Sequence, residues 1–558
     1  MKRERVTVWR RQLASLGACS LLVAIAAGCT GSSASKEPNS VEGDAFSPFE
    51  SPVTMGIAYS YSDISLPEGE FTDDHFLTRY LEKKTGINIK YEWEASGEEQ
   101  YNSKLDLAIR SNDLPDVFIA NREQFRVLVQ RDMIVDLKPY YEQYTSDLVK
   151  SIYDATEGKA LKEASVEGKL FGMPNVAIEA DSPTYVWVRQ DWLDKLKLPA
   201  PRSLDDLERI SKAFIEEDPD GNGKPDTIGI PVNNTLIYGE KTGVHGLNSV
   251  FSAYHAFPKS WIRDEQGHIV YGSIRPEAKA ALERIAKWYR EGVIDNEFVL
   301  RKDIVDIVEL NRIGIVFAPW WATYWPLSSA VAKDTKAEWR VFAAPVDSNG
   351  VFMTNSSPTT DRYLVVRKGY AHPEAALKML NVLTRLERNQ EPNKAEAQKL
   401  RATAVQLGVQ LRNYYPFDLL LDYPDAIEKR YDLLIQAKNG DIDSETLDPE
   451  TRSIYEDMLL ENKAPLKNME AWSTSQAYLL GGAVSKQHKV VKTSLFYGVT
   501  PTMEKKWTAL QKLEHETYLK IITGELPIEA FDAFVSNWRN QGGSLITSEV
   551  AGLVDGNE

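Results

Sequence analysis

The sequence predicts an α/β fold, βαβ units on a mainly parallel sheet, and three observations predict it. Short apolar runs of strand length alternate with segments whose apolar residues recur at helical spacing. The alternation continues along a chain of 558 residues, enough for two to four domains or one large two-lobed body. A hydrophobic content of 43% with 10% aromatic residues is that of a packed globular interior rather than a disordered chain.

The chain begins with a positive segment of Lys2, Arg3, Arg5, Arg10 and Arg11, followed by an apolar run over 13–27. That run falls short of the roughly 20 apolar residues that span a bilayer comfortably. It ends in small residues, as a cleaved export signal requires. Ala26, Ala27 and Gly28 lead into Cys29, similar to the bacterial lipobox, in which the cysteine is diacylated and becomes the mature N-terminus. The usual Leu three residues before the cysteine is replaced by Ala26. Cys19 is a second candidate, but the apolar segment before it is too short. The competing readings are an ordinary cleaved signal and a retained membrane helix. Residues 1–28 are therefore expected to be a lipoprotein signal peptide, with Cys29 the membrane anchor carrying two or three acyl chains, since one chain binds only marginally. Residues 29–52, starting Thr30-Gly31-Ser32-Ser33, read as a flexible tether.

Cys19 and Cys29 are the two cysteines of the chain. Cleavage before Cys29 leaves the body without any, which excludes disulfides, cysteine nucleophiles and thiolate metal sites from it. The net charge is −16, and without residues 1–28 it becomes −20, from 60 basic and 80 acidic side chains. Nucleic acid is excluded as a partner, because phosphate binding needs a basic surface.

The body starts with a strand near Val53-Thr54-Met55-Gly56-Ile57. A helix follows over 75–85, with Phe76, Leu77, Tyr80 and Leu81 on one face and Gly86 at its C-cap. Ile87-Asn88-Ile89-Lys90-Tyr91 alternates as a strand, 99–111 is helical, and Pro115-Asp116-Val117-Phe118-Ile119 is a buried strand. Further helices are predicted over 204–217, 276–291 and 373–386, the last two starting with Pro in the first turn. Residues 389–448 are polar, charged and predominantly helical in pattern.

Specific segments then resemble a known family. Leu114-Pro115-Asp116-Val117, Gly168-Lys169-Leu170-Phe171-Gly172-Met173-Pro174, Arg189-Gln190-Asp191-Trp192-Leu193-Asp194-Lys195-Leu196, Gly292-Val293-Ile294-Asp295-Asn296-Glu297-Phe298 and His372-Pro373-Glu374-Ala375-Ala376 occur in that order. They are similar to motifs of the family 1 extracellular solute-binding proteins of carbohydrate ABC transporters, closest to the large Gram-positive lipoproteins of the LplA/LipO kind. Gly498-Val499-Thr500-Pro501-Thr502 matches more loosely. The resemblance implies a two-lobed periplasmic-binding-protein fold, with a ligand cleft between lobes and hinge crossovers. It places the first lobe at 53–178 with 345–390, and the second lobe and C-terminal helices at 179–344 with 391–558. It implies an oligosaccharide ligand, ABC permease subunits as partners, a lipid-anchored position on the extracytoplasmic face of the cell membrane, and a monomer.

Asp218, Asp220, Asn222, Lys224 through its carbonyl, and Asp226 present oxygen at alternate positions, with Gly223 at the sharp turn. This spacing suits Ca²⁺ in a structural role. Position twelve is Gly229 rather than the bidentate Glu of an EF-hand. A metal-free turn and Mg²⁺ are the alternatives.

Sugars need aromatic platforms ringed by polar side chains. Trp320, Trp321, Tyr324 and Trp325 form the densest aromatic cluster, after the strand near Ile313-Gly314-Ile315-Val316-Phe317. The cluster resembles the stacking segment of maltose-binding-type proteins, which points to Trp320. Asn121 and Arg122 follow a strand at its carboxyl end, where open α/β sheets bind ligands; surface capping is the alternative. Arg189, Asp191 and Trp192 belong to the family-like segment, where Asp191 could simply cap a helix. Tyr59, Tyr61 and Asp63 follow the first strand, and Trp261 and Tyr497 are weaker candidates.

No catalytic signature stands out: the chain has no HExxH, GxSxG or GxxxxGK[ST]. A binder rather than an enzyme is expected. A sugar-sensing receptor module and a secreted carbohydrate-active enzyme are the rival readings.

Overall fold

The computed structural model describes residues 44–61, 66–239, 244–407 and 409–556. The signal segment, Cys29 and Asp63 lie outside the described residues. Among the described residues, no helix is long and apolar enough to cross a membrane.

Of the fourteen strands among the described residues, ten frame the site: β1 (Val53–Tyr61), β2 (Ile87–Ser96), β3 (Val117–Asn121), β4 (Met173–Pro174), β5 (Tyr185–Arg189), β6 (Ile315–Ala318), β7 (Trp339–Phe342), β8 (Met353–Ser356), β9 (Arg362–Val366) and β10 (Val490–Thr493). The first sheet has the order β2-β1-β3-β9-β4 and the second β6-β5-β7, while β8 pairs β10. β1 runs parallel to β2 and β3, as the βαβ pattern predicts, and β9 returns antiparallel against β3 and β4. The chain crosses from the first sheet to the second over 175–184 and returns over 343–361.

The helix Phe76–Thr85 shows how local sequence sets an element. His75 caps it by accepting the Leu77 N–H, and Gly86 closes it at φ 69°, a conformation that costs glycine little and other residues more. Leu77, Tyr80 and Leu81 point inward. They join Met55, Ile57, Val117 and Phe118 in the first core. The second core gathers Trp192, Phe214, Leu282 and Trp288 with the C-terminal Tyr518, Phe534 and Trp538.

The expected assignment of 391–558 to the second lobe differs from the packing at one end. Ala397, Leu400, Tyr414, Phe417 and Leu421 belong to the first core. The physical reason is the helix Glu374–Glu387, whose residues are buried on nearly every side; a helix buried all round needs cover on its far side too. Farther along, Ile427, Leu434, Met458 and Tyr478 pack with Ile178, Tyr185, Trp320 and Phe352. These residues form a helical layer over the crossover.

Candidate functional site

The register of the sheets decides which residues face the crossover. Arg362 pairs with Asn121 and Tyr363 with Pro174. The ends of β1 and β3 and the start of β9 therefore lie at one edge of the first sheet. A cavity of about 350 Å³ opens there, lined by Tyr61, Asn102, Asn121, Arg362, Arg412 and Asp418 among others. Pockets of a few hundred Å³ at the carboxyl ends of parallel strands are the usual ligand sites of such folds.

The charges in this cavity are mutually paired. Arg362 Nη1 lies 2.9 Å from Asp418 Oδ2. Arg412 donates to the other oxygen of the same carboxylate and lies 3.7 Å from Glu387. Burial opposes ionisation of Asp418, and the guanidiniums of Arg412 and Arg362 outweigh it, holding the carboxyl below its ordinary range. The Asp418 side chain is recessed yet 53% exposed, so solutes reach it.

Asn121 serves two ends. Its side chain accepts the Gln124 N–H at 2.9 Å, capping the helix Arg122–Gln130, while the residue also walls the cavity. Arg122 pairs with Glu163 at 2.7 Å, donates to the Thr360 carbonyl and lies over the Tyr497 ring at 5.7 Å. Tyr61 lines the cavity. Tyr59 shares the face of β1 with Tyr61, its ring 6.3 Å away, but lies deeper in the sheet, 1% exposed and stacked on Tyr91 at 4.2 Å, so it packs in the interior.

In the second sheet, Ala318 pairs with Tyr185 and Phe342 with Val186. The segment after Ala318 thus emerges at the edge nearest the crossover. Its rings divide. Trp320 is buried, donates to Asp181 Oδ1 at 2.7 Å and meets Tyr478 edge-on. A Cβ at Gly481 would stand 2.1 Å from the Trp320 carbonyl oxygen, so a helical turn sits directly on this backbone. The stacking role expected of Trp320 is therefore corrected: the ring fills an interior gap. Trp321 and Tyr324 are partly buried against the same cluster. Trp325 is 42% exposed and lies 5.3 Å from the His245 ring.

Arg189, Asp191 and Trp192 are also corrected. Trp339 pairs with Arg189 at the sheet edge away from the crossover. Arg189 is buried, binds Asp191 at 2.7 Å and Asp334 at 3.2 Å, and covers the Trp192 ring at 4.6 Å. Trp192 itself is 1% exposed. This trio holds the second lobe together. Trp261 is likewise buried, against Tyr271.

In the aspartate-rich loop, Asn222 Nδ2 lies 2.7 Å from Asp220 and 3.0 Å from Asp226. The Asp218 carboxylate accepts the Gly223 N–H at 3.0 Å, and the Lys224 N–H reaches Asn222 Oδ1 at 2.7 Å. Hydrogen bonds from Asp220 and Gly223 hold Asp218 below its ordinary range, while burial and the proximity of Asp218 push Asp220 up. Two carboxylates, Asp220 and Asp226, are drawn to the Asn222 amide. Among the described residues, no group of three or more His, Cys, Asp or Glu converges as a metal site.

Sequence reasoning missed Asn102, Arg362, Arg412 and Asp418. Arg362 carries a faint signal, a charge at the start of the apolar strand Tyr363-Leu364-Val365-Val366. Arg412 and Asp418 sit in the polar stretch that offered no motif.

The model of the bacterial extracellular solute-binding protein family matches residues 64–387. Lipoprotein LipO of Bacillus subtilis is 30% identical over 242 residues, 42% of this chain and 45% of its own length. The fructooligosaccharide ABC transporter substrate-binding protein FusA of Streptococcus pneumoniae is 26% identical over 51% of each chain. The chain thus spans about half the length of the curated relatives it matches. The FusA structure in complex with kestose superposes with a TM-score of 0.60 at 16% identity, covering 90% of this chain and 99% of FusA. An EF-hand mutant of FusA with fructo-nystose gives the same TM-score. Alginate-binding protein AlgQ2 without calcium ion gives 0.59 at 15% identity, covering 91% of this chain and 99% of that one. These likenesses establish the two-lobed solute-binding fold.

Proposed function

Because the chain belongs to the bacterial extracellular solute-binding protein family, we propose that it captures an oligosaccharide outside the cell and delivers it to the permease of an ABC importer. The observation that carries the reading is the cavity at the carboxyl ends of β1 and β3, with its amide, guanidinium and phenol side chains. Hydroxyl-rich ligands need such paired donors and acceptors, because a buried polar group without a partner is costly. Tyr61 and Asn121 form the polar wall of the site, and Arg122 braces it from beside. Trp325, the most exposed ring of its cluster, supplies an apolar platform from the second lobe, with Trp321 and Tyr324 behind it.

Family and relatives are binding proteins rather than enzymes, so the chain is assigned binding without turnover. Cys29 anchors it as a lipoprotein through residues 29–52, on the extracytoplasmic face, as a monomer. Asp218, Asp220, Asn222, Asp226 and the Lys224 carbonyl would hold Ca²⁺, which would stiffen the loop. The division of the body into lobes at 53–178 with 345–390 and at 179–344 remains part of this proposal. Thermal-shift titration of the mature chain with a panel of neutral and acidic oligosaccharides tests the main reading. A melting temperature that no sugar moves would refute it, and sugar cleavage would favour the enzyme instead.

A further inference from the structure

We propose that the cavity beside β1 and β3 selects uncharged oligosaccharides, and that the Asp418 carboxylate is the residue that excludes uronates. The inference rests on the oligosaccharide reading above and names the class of sugar.

Two guanidiniums at a ligand site would ordinarily favour a carboxylate, since the planar fork matches it in bidentate geometry. Here both forks are already engaged. Arg362 meets one oxygen of Asp418 at 2.9 Å, and Arg412 donates to the other. Arg412 also has Glu387 at 3.7 Å. Beyond this triad the wall includes Glu98. A uronate entering the cavity would therefore compete with a carboxylate already in place and meet a second one nearby. The third guanidinium at this edge, Arg122, is held by Glu163 at 2.7 Å. Among the described residues of this wall, no cation is left over for an acidic sugar.

A neutral sugar meets a different surface. The amides of Asn102 and Asn121 and the phenol of Tyr61 face its hydroxyls, and the Arg–Asp–Arg triad offers fixed donors and acceptors without net repulsion. Asp418, 53% exposed in the concavity, is positioned to accept from a hydroxyl while it blocks a carboxylate.

The test is isothermal titration of the mature chain and of Asp418→Asn with neutral trisaccharides, kestose among them, and with trigalacturonate. The wild type is expected to bind a neutral trisaccharide and to bind trigalacturonate at least about tenfold more weakly. Asp418→Asn frees two guanidiniums and should gain trigalacturonate affinity by about tenfold or more, a gain reversed by adding Arg412→Gln. Stronger binding of trigalacturonate than of every neutral trisaccharide by the wild type overturns the inference while leaving oligosaccharide capture standing. A folded Asp418→Asn with no such gain overturns the role given to Asp418. Should that variant not fold, the wild-type preference alone decides. Absence of binding to any trisaccharide overturns the oligosaccharide reading, and this inference with it.

Discussion

The indole N–H of Trp320 donates to Asp181 Oδ1 across 2.7 Å, joining the end of the second sheet to the crossover from the first. The bond explains why a tryptophan in a sugar-like motif lies inside the protein. Trp320→Ala should destabilise the chain by about 3–5 kcal/mol through the cavity it leaves. Trp325→Ala should cost less than about 1 kcal/mol, since its ring is largely at the surface, and should weaken sugar binding roughly tenfold. Urea unfolding and calorimetric titration of both variants separate the two roles. Equal loss of stability in both would contradict the assignment.

Asp181 also carries a pH dependence. Burial pushes its carboxyl up to about 6, against the bond from Trp320. A folded value above the unfolded one means that the contribution to stability is complete below the unfolded value near 3.8 and is lost as pH rises through about 6. Asp422 and Glu428 act in the same direction and Arg412 against it. Asp181→Asn should flatten the fall in unfolding free energy between pH 4 and 7 relative to wild type, read by urea melts across that range. An unchanged slope would remove Asp181 as its source.

Arg189 separates scaffold from site. It is buried with Asp191 and Asp334 as partners, and removing one member of such a cluster leaves uncompensated charge. Arg189→Met should cost about 3–5 kcal/mol of stability. The sugar dissociation constant of the protein that remains folded should not change, as the residue lies at the sheet edge away from the cavity. A large loss of affinity in folded Arg189→Met would return it to the binding site.

The aspartate loop predicts a calcium response. Millimolar CaCl₂ should raise the melting temperature by ~3 °C over the same protein in EGTA, because a ligand bound only by the folded state stabilises it by mass action. Asp220→Asn together with Asp226→Asn should abolish the difference. Identical melts of the wild type in calcium and in chelator would strike out the ion.

Cys29→Ser should move the protein from the membrane pellet to the soluble fraction of a producing cell, detected by immunoblot. Persistence in the pellet would point to a retained helix instead.

Much of the scaffold was legible because its signals are local. The pattern over 75–86 holds apolar spacing and a C-cap glycine in twelve consecutive residues, and the helix Phe76–Thr85 with Gly86 in the left-handed region follows. The helix expected over 204–217 runs Leu204–Glu216. The site was less legible for two physical reasons. Aromatic rings serve interior and ligand equally well, so composition could not tell Trp320 from Trp325. The polar wall joins residues far apart in sequence: Asn121 and Arg362 meet because β9 returns antiparallel beside β3, and Asp418 joins them through its ion pair with Arg362. Arg189 misled because a motif for lobe cohesion has the same residue types as a motif for ligand contact.

The close seat of Gly481 on the Trp320 backbone has a mechanical consequence. Backbone that near cannot slide without collision, so the turn at 477–482 and the aromatic segment after Ala318 displace as one piece. Thr323, whose hydroxyl donates to the Ser473 carbonyl at 2.9 Å, fastens the same aromatic segment to the adjoining helix Met469–Gln476. A spectroscopic label on the solvent face of the helix Met469–Gln476, none of whose residues lines the cavity, would then report the displacement of the Trp325 loop, making that helix a gauge for occupancy that leaves the cavity untouched.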